Sequence, residues 1–314
     1  MSERGIFMDI TDVIVIGAGP AGLNAALYAS RKELSVKIIS NDIGGQMLLT
    51  SEIENYLGFE SISGFDLADK MEAHVRKYPV EFITAAVMNL EKNEDGNFVL
   101  HLDDGNTVVG KVCIITAGKH SRTLDIPGEA KFTGRGVSYC ATCDAPFYRN
   151  KTVAIVGGGD SALQEALLLS DICRIVYLIH RRDAFRGDAE KQARLFARKN
   201  VTVLTPMEIA GFLTEDDSLR ALRLKNTATG EETELGVDCL FVSVGQQPEL
   251  ERFAALLPLT AQGYAAVPET GETPVRGVFV AGDCRGKRVR QLATAVSDGA
   301  NAALAACRYL DGEE

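Results

Sequence analysis

The sequence predicts an α/β chain in which two parallel-sheet units of one type share the polypeptide, the second inserted into the first. Three observations carry that prediction. A strand, glycine turn, helix and strand follow one another in TDVIVIGAGPAGLNAALYASRKELSVKIIS, residues 11–40, and the same order returns in TVAIVGGGDSALQEALLLSDICRIVYLIHRR, residues 152–182. Each copy is followed later by an apolar strand ending in a small-residue turn, KVCIITAGK in the first and DCLFVSVGQ in the second. The last segment, TPVRGVFVAGDCRGKRVRQLATAVSDGANAALAACRYL, has no place in the second copy, which closes at SVGQQ, so it returns to the first.

Taken in order, Val13 to Ile16 is a short apolar run of the kind buried on both faces of a parallel sheet, and VKIIS closes that unit. Gly17, Gly19 and Gly22 stand between strand and helix in GxGxxG spacing; Gly157 and Gly159 repeat it, with Ala162 at the third position, where only a small side chain lets helix approach strand. Glycines there let the backbone come close to a pyrophosphate, and the helix N-terminus supplies free N–H groups and partial positive charge. In strand-turn-helix context, twice in one chain, the pattern predicts two nucleotide-binding, Rossmann-like, three-layer domains. The crossings between them fall near 119–126 and 246–250, where polar residues and a proline read as linkers. The expected domains are therefore 1–121 with 249–314, and 122–248.

The two copies differ where their second strand ends. His180, Arg181 and Arg182 follow RIVYLI, with Arg186 close behind, where an NAD site usually shows an acidic residue for the ribose hydroxyls. Arginines there fit a 2′-phosphate and hence NADP(H); a solvated basic turn is the alternative. In the first copy the strand ends at Ser40 and Asn41, and Asp42 comes slightly late for the usual acidic partner, so local sequence leaves that ligand open.

With 314 residues, 46% apolar and 24% charged, both domains have enough material for a core. A net charge of −10 argues against nucleic acid or an anionic membrane as partner, since both need a broad basic face. The start has no basic stretch ahead of an apolar core, and its apolar run breaks at Gly17, so a cytoplasmic protein is expected. Of seven cysteines, Cys113, Cys173, Cys239 and Cys307 sit singly among apolar neighbours, and Cys284, beside Asp283, is expected to serve packing. Only Cys140 and Cys143 form a close pair.

The order and spacing of GAGPAG, GGQM, ENYLGF, CATCD, GGGDSA, HRRDAFR, VAGD and RQLATA resemble the low-molecular-weight, NADPH-dependent thioredoxin reductases from about residue 12 to the C-terminus. The resemblance implies FAD in the discontinuous domain, NADPH in the inserted domain that carries CATC, a homodimer, and thioredoxin as partner. It assigns FAD to Gly17, Gly19, Pro20, Ala21, Gly22, Asn41, Gly44, Gly45, Gln46, Asn55, Gly118, Gly282, Asp283, Arg290, Gln291 and Leu292. NADPH falls to Gly157, Gly159, Asp160, Ser161, Ala162, His180, Arg181, Arg182 and Arg186. Leu57, where the family usually has proline, and Gly187, where alanine is common, depart from the pattern.

A CxxC pair has three readings. Half of a zinc site would need a second ligand pair, and neither another CxxC nor a histidine cluster exists among four histidines. Two incidental core cysteines would not explain the adjoining Asp144. The third is a redox-active disulfide, since two intervening residues allow a small ring and such motifs depress a thiol pKa. By the resemblance Cys143 faces the flavin, Cys140 attacks the partner protein, and Asp144 donates and accepts the proton; N-capping of the following APFY turn is the carboxylate's other reading. The implied reaction runs from NADPH through FAD and Cys140–Cys143 to thioredoxin. Rival expectations are a ferredoxin-fed or other-donor enzyme, a peroxiredoxin- or glutaredoxin-directed reductase, and a nucleotide-binding redox sensor without turnover.

Overall fold

The computed structural model of the chain describes residues 10–49, 52–215 and 218–313; residues 1–9, read above for a leader, lie outside the described residues. Two compact units emerge, one of 1–48, 56–120 and 247–314, the other of 49–55 and 121–246.

The first unit begins with β1 (Thr11–Ala18), α1 (Pro20–Ser30) and β2 (Val36–Ile43), where β1 and β2 pair in parallel from Val13↔Val36 to Ile16↔Ile39. Alternation explains the apolar run of β1: Val13 and Val15 enter the core under α1, while Ile14 and Ile16 enter a second core on the opposite face. After α2 (Gly64–Val75), whose Ser63 cap accepts the Asp66 N–H at 3.0 Å, come β3 (Val80–Thr84), β4 (Val87–Lys92), β5 (Phe98–Leu102) and β6 (Thr107–Ile115). β4, β5 and β6 form an antiparallel meander on the parallel sheet. β7 (Lys119–Ser121) is the first crossing.

The second unit carries α3 (Glu129–Phe132), β8 (Val137–Ser138), α4 (Ala141–Asp144), β9 (Thr152–Val156), α5 (Asp160–Ile172), β10 (Ile175–Ile179), α6 (Ala189–Phe196) and β11 (Val201–Leu204). β12 (Met207–Glu215), β13 (Ser218–Asn226) and β14 (Glu232–Gly236) then make an antiparallel sheet of their own, and β15 (Cys239–Val242) rejoins the first sheet. That parallel sheet has the order β11-β10-β9-β15-β8. Its two faces divide β9 as they divide β1, Val153 and Ile155 to one core and Ala154 and Val156 to the other.

β16 (Gln246–Pro248) is the return crossing and pairs with β7. The first unit is completed by β17 (Val278–Val280) and α7 (Leu292–Leu310). β6 offers one edge to two strands in turn: β5 pairs with Thr107 to Gly110, and β17 pairs with Cys113 to Ile115. This places the turn after β17 at the carboxyl end of the parallel strands, where open α/β sheets take their ligands. α7 packs on α1 at very short range; a Cβ on Gly299 would lie 2.1 Å from the Ala21 carbonyl. Among the described residues no helix is long and apolar enough to cross a membrane.

Candidate functional site

In the first unit, four segments distant in sequence converge on the glycine turn. Gly17 has φ +105°, and a Cβ there would meet the Thr116 carbonyl at 2.6 Å; one on Gly22 would lie 1.9 Å from the Gly17 carbonyl. A Cβ on Gly19 meets nothing within 4 Å. Two of the glycines thus serve the protein's own packing, and the middle one faces open space. Gly19 caps α1 without a side-chain hydrogen bond, and Pro20 opens the helix, so first-turn N–H groups stay available to an anion. Gly45 lies beside Gly19, its Cβ position 3.5 Å from the Gly19 Cα, and Gly44 N donates to Ala18 O at 2.9 Å. Gln46 Nε2 donates to the Lys119 carbonyl, which follows Gly118. Gly282 approaches from β17, its Cβ position 2.8 Å from the Ala21 Cβ.

Asp283, next in the chain, lies between two ammonium groups, Lys119 at 3.8 Å and Lys287 at 3.5 Å. Its Oδ1 is buried and accepts no hydrogen bond among the described residues, as a carboxylate waiting for a ligand hydroxyl would be. Behind it the buried Asp298 pairs with Arg285 at 3.0 Å and Lys287 at 2.9 Å and accepts the Gly282 N–H at 3.2 Å, which steadies the turn. Arg290 donates to the carbonyls of Asp283 and Arg285, both at 3.2 Å, and its guanidinium sits 4.0 Å from the Tyr264 ring centre. Gln291 caps α7 and Leu292 is its first residue. Asn41 is exposed, and Asp42, the late acidic residue, is spent locally on the Gly45 N–H at 2.9 Å. Asn55, exposed, groups with the second unit.

The second unit repeats the cradle. A Cβ on Gly157 would lie 2.3 Å from the Ser243 carbonyl, whereas one on Gly159 meets nothing within 4 Å. Ala162 is fully buried, and Ser161 lies exposed in the first turn of α5. Asp160 is exposed, and its carboxylate accepts from the Asp188 N–H and Lys191 Nζ, both at 3.0 Å. His180 is buried and stacks on Phe185 at 4.9 Å, with Nε2 unpartnered among the described residues. Burial lowers the pKa of its imidazole, a hydrogen bond with the Ala184 backbone opposes this, and the positive field of Arg182, Arg186 and Arg181 adds to the lowering, so the ring is held below its usual value. The three arginines are exposed and form no ion pair among the described residues. Gly187 is explained by space: its Cβ would meet Leu163 at 2.4 Å where the loop folds onto Gly158 and Gly159. Leu57 is fully exposed, and nothing in the structure explains it.

Both cradles fit a dinucleotide pyrophosphate, with a tight turn, uncapped N–H groups, and open space at the one position where a side chain would block approach. The arginine cluster adds a fit for a further phosphate.

Cys140 and Cys143 are joined as a disulfide, their Cα atoms 5.3 Å apart, at the start of the single-turn α4. Cys140 Sγ accepts the Cys143 N–H at 3.2 Å. Asp144 follows, and its carboxylate makes no cap to the Ala145–Tyr148 turn. It receives a hydrogen bond from Ser138 Oγ at 2.6 Å instead. Burial raises the Asp144 pKa, and the Ser138 hydroxyl partly offsets the rise. The other five cysteines are free and buried, and desolvation pushes Cys173 to about 11 and Cys284 to about 12. They are inert thiols, and Cys284 packs with Sγ 3.3 Å from the Ala281 carbonyl. Among the described residues no three His, Cys, Asp or Glu side chains gather around a metal position.

Sequence reasoning missed Lys119, Lys287 and Asp298 around Asp283, and Ser138 beside Asp144. The cations had no motif to announce them. Ser138 stands two residues before Cys140, but only the fold of β8 against α4 brings it to Asp144.

A model of the pyridine nucleotide-disulphide oxidoreductase family matches residues 11–299. The chain is 39% identical over 313 residues to a thioredoxin reductase of Bacillus subtilis, covering 99% of this chain and 97% of that protein. It is 40% identical over 298 residues to a thioredoxin reductase of Mycoplasma genitalium, covering 94% of each. The crystal structure of the thioredoxin reductase from Streptococcus pyogenes superposes with a TM-score of 0.91 at 38% identity, covering 96% of this chain and 99% of that one. With its two glycine cradles and its disulfide, the chain belongs to the pyridine nucleotide-disulphide oxidoreductase family and, within it, to the thioredoxin reductases.

Proposed function

We propose that this protein is a flavoprotein thioredoxin-disulfide reductase, carrying electrons from NADPH by way of FAD and the Cys140–Cys143 disulfide to oxidised thioredoxin. One observation carries the proposal: a disulfide at the start of α4, with a half-buried Asp144 of raised pKa beside it, in a chain with two open pyrophosphate cradles. Gly17, Gly19, Pro20, Ala21, Gly22, Gly44, Gly45, Gln46, Gly118, Gly282, Asp283 and the start of α7 would hold FAD, with Oδ1 of Asp283 accepting from a cofactor hydroxyl. Gly157, Gly159, the first turn of α5 and the arginines would hold NADPH, the guanidiniums on its 2′-phosphate. FAD, when bound, supplies a two-electron relay between NADPH and a disulfide.

The chain's own residues do the rest. The Cys140–Cys143 bond takes up two electrons and two protons and opens to two thiols. The Cys140 thiolate attacks the partner's disulfide, one partner sulfur leaves and is protonated, and Cys143 then displaces the second, restoring the enzyme's disulfide. Asp144 holds the proton through these steps: burial keeps it protonated to higher pH than an ordinary carboxyl, so it can donate to a leaving thiolate and accept from an attacking thiol. The protein is further proposed to act as a homodimer in the cytoplasm, which the family resemblance supports.

The test is NADPH oxidation by the purified holoprotein with and without oxidised thioredoxin. Turnover that requires thioredoxin, with about one acid-released FAD per chain, is expected. Released FMN, or no thioredoxin-dependent turnover, would overturn the proposal.

A further inference from the structure

Among the described residues no cation pairs with Asp144. The groups that face it are Ser138 at the end of β8, the Tyr148 phenol on the turn that follows, and Cys239 opening β15, besides the two cysteines of its own helix; Asp238, just before Cys239, acts on Tyr148 and Cys239. Ser138 is the side-chain donor to the carboxylate among the described residues. The Ser138 hydroxyl has one proton to give. Asp144 Oδ2 is 2.6 Å away and the alternative acceptor, the Cys140 carbonyl, is 3.5 Å away, so the proton goes to Asp144. Ser138 Oγ in turn accepts the Cys140 N–H at 3.1 Å. Ser138 is 4% exposed, and its strand is held in parallel register with β15 at Phe241, so the hydroxyl is placed by the sheet and not by the loop it serves.

We propose that Ser138 is a positioning residue of the dithiol–disulfide step, its hydroxyl tying the Asp144 carboxylate to the backbone of Cys140 so that the proton carrier keeps its place beside the sulfur as the S–S bond opens and closes. The inference rests on the function proposed above, in which Asp144 moves the proton. Its sign follows from the hydrogen bond. A hydroxyl donating to an ionised carboxylate favours the ionised form, and burial opposes it; without the hydroxyl, burial acts alone and Asp144 keeps its proton to higher pH.

The experiment is a pH titration of the protonated-carboxyl stretch in the reduced holoprotein by infrared difference spectroscopy, with the Asp144 band identified by its loss in Asp144→Asn. In Ser138→Ala the midpoint should rise by about one pH unit, the scale of one charge-assisted hydrogen bond, and Ser138→Thr, which keeps the hydroxyl, should restore it. The alkaline limb of thioredoxin reduction should move up with it. Ser138→Gly serves as a second hydroxyl-free variant should the alanine protein fold poorly. An Asp144 midpoint that stays in place in a folded hydroxyl-free variant overturns the inference, as does a rate that falls equally at every pH. Should the wild-type protein fail to reduce thioredoxin, the proposed function falls, while the infrared midpoint still decides whether Ser138 governs Asp144.

Discussion

The glycine turns after β1 and β9 share a signature but differ at its third position. Gly22 cannot take a side chain, whereas Ala162 buries a methyl group at the equivalent place. The cause lies in what stands against each helix, the motif's own first glycine included. α1 is pressed from both sides, by the Gly17 carbonyl on its inner face and by α7 on its outer face, where Gly299 meets Ala21. α5 carries no long helix of that kind against it; its neighbours are the shorter α4 and α6. The second difference is at the end of the following strand: Asp42 is consumed in closing the Gly45 turn, while Arg181, Arg182 and Arg186 stand exposed. A fingerprint thus specifies the pyrophosphate cradle, and its surroundings decide how tightly the helix packs and what else of the nucleotide is read.

The largest effect separates both cradles from the sulfur chemistry. Cys143→Ser should abolish thioredoxin reduction while NADPH still bleaches the flavin, because hydride transfer uses no sulfur; rapid-mixing absorbance reads both, and native-rate thioredoxin reduction by the variant would break the assignment. Next comes packing. Gly22→Ala places a methyl into a backbone carbonyl and should cost about 3 kcal/mol or more, with loss of bound flavin, whereas Gly19→Ala should leave apoprotein unfolding nearly unchanged and weaken only the flavin. Thermal unfolding of the apoproteins and flavin retention on desalting check the pair, and equal destabilisation would show that the two glycines do the same job.

The strand-end difference is tested by changing Arg181 and Arg182 together to Ala. NADPH preference over NADH should fall by about 10- to 1,000-fold, mostly in KM, since the phosphate lies far from the hydride and each charge-assisted bond contributes roughly 1.5–3 kcal/mol before solvent screening. The kcat/KM ratio for the two nucleotides at two salt concentrations measures it; an unmoved ratio would leave only a solvated turn. The smallest effect concerns His180. Its folded-state pKa lies below the unfolded value, so the unfolded chain binds the proton more readily, and the stability present above the unfolded value is lost as pH falls through about 6.5 and below. His180→Gln should flatten that acid-side decline by less than about 1 kcal/mol, read as urea midpoints across the window. A decline as steep as in the wild type would place the acid sensitivity elsewhere.

The fold was legible because its signals are local. A four-residue apolar strand followed by glycines at fixed spacing is a backbone requirement, and both copies meet it with short-range geometry. The return of the last segment to the first unit was legible too, since one more strand and helix had nowhere else to go. Asp283 shows the limit: a Gly-Asp turn after a strand could be seen, but not that Lys119 and Lys287 flank it, nor that Asp298 anchors Lys287 from α7. Asp144 shows it again: a proton carrier and a helix cap could both be read from its position after Cys143, but not that its carboxylate makes no cap and accepts from Ser138 instead.

By itself, then, the sequence determined the two glycine cradles, the close Cys140–Cys143 pair and the arginines at one strand end, all properties of residues within one turn or one strand-helix unit of each other. Only the tertiary structure decided what surrounds them. The charge around Asp283, the proton affinity of Asp144 and the lowered pKa of His180 depend on burial and on side chains delivered by separate strands and helices. Desolvation and hydrogen bonding act over a few ångströms in space, and neighbours at that range need not be neighbours in the chain.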